Sequence, residues 1–165
     1  MAVGDLLSRM EASRSRLFAA ITGLTEEQAR ARPPAGRCVS ELLAHLMTWE
    51  QAVHRAIGAA IPELMPPPTS SEAPGRATPL PQLVHGLQAA RRRTALLLER
   101  LDARQFALPA VDPDGERTTV RALLERIPAH EDEHAAEIER IRSWLATQDG
   151  ERDVVILRPA ERSQG

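Results

Sequence analysis

Apolar residues recur along this chain at steps of three and four, and four stretches carry the pattern far enough to predict helices. The first runs from about Gly4 to Leu24, with Leu6, Leu7, Met10, Leu17, Ile21 and Leu24 on one stripe. Arg9, Arg14 and Arg16 fall off that stripe and are expected in solvent. The second covers about Val39 to Ala59, its face made by Val39, Leu42, Leu46, Val53 and Ile57, with Leu43 and Trp49 beside it. His45 sits at the edge of this face, whereas His54 falls toward the polar side and is expected at the surface. The third takes Thr78 as N-cap and Pro79 or Leu80 as first turn, and continues to about Leu101. Its stripe is Leu80, Leu83, Val84, Leu87, Thr94, Leu97, Leu98 and Leu101. The run Arg91, Arg92, Arg93 points to different sides of that helix and reads as solvated surface. The fourth covers about Val120 to Thr147, capped by Thr118 or Thr119.

The breaks between these stretches are equally marked. Thr25, Glu26, Glu27 and Gln28 form a capping-box pattern that predicts a short helical turn, and residues 32–36 then break the chain with two prolines and a glycine. Residues 61–79 hold Pro62, Pro66, Pro67, Pro68, Pro74 and Pro79, which predicts a long irregular connection able to carry the chain between bundle ends or to cover a site. Residues 102–117 read as a loop with a turn at Asp112, Pro113, Asp114 and Gly115. Four amphipathic helices so connected predict an all-α four-helix bundle over residues 1–150, with a long proline-rich connection between helices two and three. Residues 151–165 form a short tail whose apolar patch, Val154 to Leu157, is expected to dock on the bundle or on a partner.

One irregularity in the pattern points to chemistry. The stripe of the fourth helix runs Val120, Leu123, Ile127, then Ile138, Ile141, Leu145; the missing turns fall on 130 or 131 and on 134. Histidines occupy His130 and His134, four residues apart and therefore on one helix face. Two imidazoles at core positions are either a buried hydrogen-bonding network or half of a metal site. Pro128, just before the pair, removes the hydrogen bond to the carbonyl of Leu124 and is expected to kink the helix. In a bundle, His45 on the second helix can face this pair, and three neutral imidazoles suit zinc or nickel while leaving a position open for water or substrate. Glu131, Glu133 and Glu137 are the carboxylates near enough to support such ligands.

Composition narrows the function classes. The net charge is −2, so no overall basic field recruits nucleic acid or an anionic membrane. All 21 basic residues are arginine, and lysine, asparagine and tyrosine are absent, which reads as the coding bias of a high-GC, bacterial genome. The single cysteine, Cys38, has no internal partner for a disulfide and fits a reducing cytoplasm. No basic and apolar leader opens the sequence and no apolar run approaches the ~20 residues of a membrane span.

Two motifs in this order resemble a known family. Val39-Ser-Glu-Leu-Leu-Ala-His45-Leu-Met-Thr-Trp49-Glu in the second helix and Ala129-His130-Glu-Asp-Glu-His134-Ala-Ala-Glu-Ile138 in the fourth are similar to the DinB-like superfamily of metal-binding four-helix bundles. That superfamily includes bacillithiol S-transferases and mycothiol-dependent maleylpyruvate isomerases. The resemblance covers roughly residues 4–147 and implies that His45, His130 and His134 bind a divalent metal. It implies a metal-dependent thiol S-transferase or hydrolase acting on a small molecule, with a low-molecular-weight thiol as co-substrate, in a cytoplasmic homodimer. The alternatives are a non-catalytic metal-binding or ligand-sensing bundle, and a bundle that has lost its metal. Where the family usually has Trp-Ser or Trp-Thr before the second helix, this chain has Arg37 and Cys38, and cysteine is a poor helix cap.

Overall fold

The computed structural model describes residues 3–64 and 77–156, with side chains of the last helix described as far as Gln148. Six helices and one hairpin follow in order: α1 (Val3–Ile21), α2 (Glu26–Arg30), α3 (Val39–Ala60), α4 (Leu80–Arg100), α5 (Ala103–Phe106), β1 (Pro109–Val111), β2 (Arg117–Thr119) and α6 (Val120–Ile156), with a 3₁₀ turn at Pro62–Leu64. The four long helices are the four that the apolar stripes predict, and they build an all-α bundle. α1 packs on α6, and α3 packs on both α4 and α6. No helix among the described residues is long and apolar enough to cross a membrane. The expected proline-rich connection falls mostly outside the described residues, as does Leu157; the side chains of Val154 to Ile156 are also undescribed.

Local chemistry accounts for most of the helix ends. α1 stops at Ile21 because Gly23 turns left-handed, at φ 81°, and Leu24 N–H returns to the carbonyl of Ile21. Arg142 on α6 then reaches across to cover the freed carbonyls of Ala20 and Thr22, at 2.9 and 2.8 Å. Arg142→Ala is accordingly expected to cost about 1 kcal/mol of stability, read as a lowered urea midpoint with an unchanged slope. The Thr25–Gln28 capping box forms on both sides, at 3.1 Å each way. Thr119, not Thr118, caps α6 through the N–H of Ala122. Cys38 begins α3 after all, because the Glu41 carboxylate accepts its N–H and also binds Arg32.

Several expectations change. Thr78 does not cap α4: Pro79 holds that position and Glu26 of α2 accepts the Leu80 N–H at 2.6 Å, so the cap comes from another helix. The 102–117 stretch is not plain loop. Asp102 caps α5 with Gln105 in a second capping box, and the Asp112 turn joins the antiparallel pair Pro109↔Thr119, Ala110↔Thr118, Val111↔Arg117. Asp112 Oδ1 accepts from the N–H of Asp114 and Glu116, and Gly115 supplies the positive φ of 89°. α6 continues past Thr147 and through Gly150, whose helix penalty of about 1 kcal/mol is too small to end it alone.

The core falls into two apolar clusters stacked along the bundle. One holds Leu17, Val39, Leu43, Leu87 and Ile138; the other holds Leu6, Trp49, Ile57, Leu98 and Ile127. Near the boundary between them every long helix carries covered polar residues: Ser13 and Arg14 on α1, Glu50 on α3, Arg91 and Thr94 on α4, Glu131 on α6, with His54 one turn beyond Glu50. Arg14 pairs with both Glu50 and Glu131, and Arg91 pairs with the same two carboxylates. Ser13 donates to Glu131 at 2.7 Å and Thr94 to Glu50 at 2.6 Å. Three surface expectations are therefore overturned: Arg14 is 7 % exposed, His54 is 2 % exposed, and Arg91 is mostly covered by its two partners. For His54 the physical reason is that α3 is covered by α4 on one side and by α6 on another, so a residue off its apolar stripe still meets a helix; for Arg14 and Arg91 it is that the buried carboxylates of Glu50 and Glu131 hold both guanidinium groups inside the bundle.

His54 Nε2 lies 2.8 Å from Thr94 Oγ1. Since that hydroxyl gives its hydrogen to Glu50, His54 must donate, which fixes its neutral tautomer. Burial pushes the His54 imidazole from its ordinary 6.5 down to about 4. Between those values the unfolded chain binds the proton and the folded chain does not. The contribution is fully present above the unfolded value and is lost as pH falls through this window, by on the order of 3 kcal/mol. His54→Gln should flatten the fall in unfolding free energy between pH 7 and pH 4; a parallel profile would contradict the assignment.

Candidate metal centre

The three histidines singled out in the sequence come together at the same waist of the bundle. His45 projects from α3; His130 and His134 project from successive turns of α6, and α3 and α6 are packed neighbours. His130 Nε2 lies 3.2 Å from His45 Nε2 and 3.1 Å from His134 Nε2. The rings meet edge to face, with centroids 4.7–5.1 Å apart. Among the described residues, these three are a group whose ligand atoms all lie within 4.8 Å of one another. His134 is 7 % exposed, and the other two are half-buried, so the cluster sits at the edge of the core rather than sealed within it.

The electrostatics keep lone pairs available. Burial, followed by the positive charge of neighbouring groups, pushes His130 down to about 4; His45 is lowered by burial first and then by Arg37. Neutral imidazoles are the ligating form. His134 Nδ1 lies 3.0 Å from Glu137 Oε2, so its N–H donates to the carboxylate and its Nε2 presents a bare lone pair to the cluster. Hydrogen bonding among the rings does not satisfy the trio. A neutral His130 has one Nε2 hydrogen at most and two imidazole nitrogens to serve.

A divalent ion fits this donor set. Tetrahedral coordination at 2.0–2.1 Å places ligand nitrogens about 3.3 Å apart, close to the two separations made by His130, while all three ligand atoms lie within 4.8 Å of one another. Three nitrogens would fill three of the four positions of a tetrahedral ion.

The surroundings sort the remaining candidates. Glu137 touches the cluster through His134; Glu133 is exposed; Glu131 is buried against Arg14, Arg91 and Ser13, away from the imidazoles. Cys38 is buried and lines a surface hollow with Arg30, Arg32 and Glu41, apart from the histidine group. Pro128 is accommodated within α6, which continues on both sides of it. Sequence reasoning missed the aromatic and basic wall. Trp49 lies with its ring centroid 4.3 Å from that of His130, and the Arg126 guanidinium stands 5.6 Å from the Trp49 ring. Arg126 is held by Asp112 and Asp114 of the hairpin, at 2.8 and 2.9 Å, which ties that turn to the site. The signal was present for both: Trp49 follows His45 by four residues and Arg126 precedes His130 by four, so each shares a helix face with a histidine.

A family model described as the DinB superfamily matches residues 9–138, a span that contains all three histidines and well over half of the chain. No curated protein matches the chain.

Proposed function

Because the chain belongs to the DinB superfamily, we propose that His45, His130 and His134 bind one divalent ion, zinc or nickel, and that the protein is a metal-dependent thiol S-transferase or hydrolase. The observation that supports this reading best is the convergence of three imidazole ligand atoms within 4.8 Å of one another, with His130 Nε2 at 3.1–3.2 Å from each of the other two, at the edge of the core. The ion supplies Lewis acidity at neutral pH, toward either a thiol or water. The chain supplies the rest. Glu137 holds the Nδ1 proton of His134 and so fixes the tautomer that ligates. The Trp49 ring lies against His130, while Arg126 anchors the hairpin beside that wall. Glu137→Gln should weaken metal binding by about 10- to 100-fold in a competition titration with a chelator.

The substrate class is tested by loss of free thiol when the metal-loaded protein is given a thiol and an electrophile, set against release of product from hydrolysable esters and amides. Metal-dependent thiol consumption supports the transferase; ester or amide cleavage without thiol supports the hydrolase. Bound metal with neither activity leaves the non-catalytic metal-binding or sensing bundle. The third reading, a bundle without metal, draws on the same nitrogen separations, which are also hydrogen-bond distances. We also expect a homodimer in the cytoplasm, and a monomer by sedimentation at micromolar concentration would sink the first part of that expectation.

A further inference from the structure

Two polar features share one level of this bundle, and only one of them has a chemical role so far. The other is the closed ring of Arg14, Glu50, Arg91 and Glu131, in which each guanidinium pairs with both carboxylates. Its charges balance, and the carboxylates are each 2 % exposed. It draws one member from each of the four long helices, and Ser13 and Thr94 hold the same carboxylates from α1 and α4.

Its placement relative to the histidines is specific. Glu131 is the residue after His130 on α6, and Glu50 is the residue after Trp49 on α3, whose ring lies on His130. The nitrogen cluster takes one ligand from α3 and two from α6, so its geometry depends on the rotation and axial register of those two helices. A rotation of one residue is about 100°, and sliding by one residue moves a side chain about 1.5 Å. Apolar packing between Leu and Ile side chains tolerates small adjustments of both kinds. Charged groups fixed by directional hydrogen bonds tolerate far less: both guanidinium groups donate to Glu50, and Ser13 donates to Glu131, which the two arginines meet as ion pairs.

We propose that Arg14 and Arg91, acting through Glu50 and Glu131, are positioning residues for the three-histidine site, setting the register of α3 against α6 at which the imidazole nitrogens converge. This rests on the reading of that site as a metal centre. Among the described residues the ring's ion pairs are made within itself, and its members are not part of the ligand group His45, His130 and His134. It acts by holding each of the two histidine-bearing helices at a carboxylate one residue from the site or its wall.

The test compares the parent chain with the charge-balanced double variant Arg14→Met, Glu131→Leu, which leaves Arg91 and Glu50 as a pair. Buried ion pairs replaced by apolar side chains often leave stability unchanged or raised. A merely stabilising ring would therefore leave metal binding alone in a variant that stays folded. Each protein is titrated with Co(II) alone, reading the visible absorption of the bound ion, with circular dichroism as the check of folding. The proposal expects a folded double variant that binds Co(II) at least about tenfold more weakly, with an altered spectrum. Parent affinity and spectrum in that variant would overturn the proposal and leave the metal reading standing. If the double variant fails to fold, Ser13→Ala decides: it removes one hydrogen bond to Glu131, and a severalfold loss of Co(II) affinity is expected, whereas an unchanged affinity overturns the proposal. A parent chain that binds no Co(II) defeats the metal reading, and the proposal with it.

Discussion

Replacing Arg14 with methionine should destabilise the folded chain by about 3–5 kcal/mol, a large part of the ~5–15 kcal/mol available to a domain of ordinary stability. Methionine keeps an apolar side chain at this place but removes the guanidinium that stands 5.7 Å from the Phe18 ring and between the two carboxylates. The loss arises because Glu50 and Glu131, both 2 % exposed, are left sharing the single positive charge of Arg91. A carboxylate that can neither reach water nor keep its partner is costly to bury. Urea unfolding of the two proteins at pH 7 measures the loss. A difference under about 1 kcal/mol, the scale of a surface ion pair, would mean that the ring is far better solvated than its burial indicates.

The second large effect concerns the histidines themselves. His134→Ala should weaken divalent-metal binding more than about 100-fold, beyond the range expected for loss of a supporting group. It removes one of three nitrogens and strands Glu137, which orients that imidazole. The fold should survive, because Glu137 is partly exposed and can turn to water, and the apolar contacts of Ile138 and Ile141 on the same helix remain. Equilibrium dialysis against zinc or nickel, with circular dichroism as the check of folding, separates the two consequences. Unchanged affinity in a folded variant would remove His134 from the ligand set.

How much of this was legible in the sequence depends on what each residue reports. Apolar stripes locate long helices well, and α3 was expected over Val39–Ala59 against the observed Val39–Ala60. The hairpin was not visible because its strands are three residues each, too short for an alternating pattern to register. α5 was readable and missed: Asp102 and Gln105 stand at capping-box spacing. The cap of α4 by Glu26 was not readable at all, since the partners are 54 residues apart.

The histidine cluster was found by asking what fills the gaps in the α6 stripe. The same question put to the other helices would have found the charged ring. On α1 the step from Met10 to Leu17 passes Ser13 and Arg14; on α3 the step from Leu46 to Val53 passes Trp49 and Glu50; on α4 the step from Leu87 to Thr94 passes Ala90 and Arg91. Arg14 and Arg91 are expected in solvent by type, because arginine is rarely buried unless paired, and Glu131 is expected beside the histidines rather than in an ion-pair ring. Here they are paired with one another across four helices, which no single stripe reveals.

The central claim is that the three imidazole nitrogens hold a metal ion, and metal content tests it most directly. The protein would be purified without a metal-affinity tag and its elemental composition measured per chain, before and after dialysis with zinc or nickel. The account predicts one divalent ion per chain, retained on dialysis against buffer. No ion, even after zinc and nickel have both been supplied, would contradict it and leave His45, His130 and His134 as a hydrogen-bonded trio at the edge of the core.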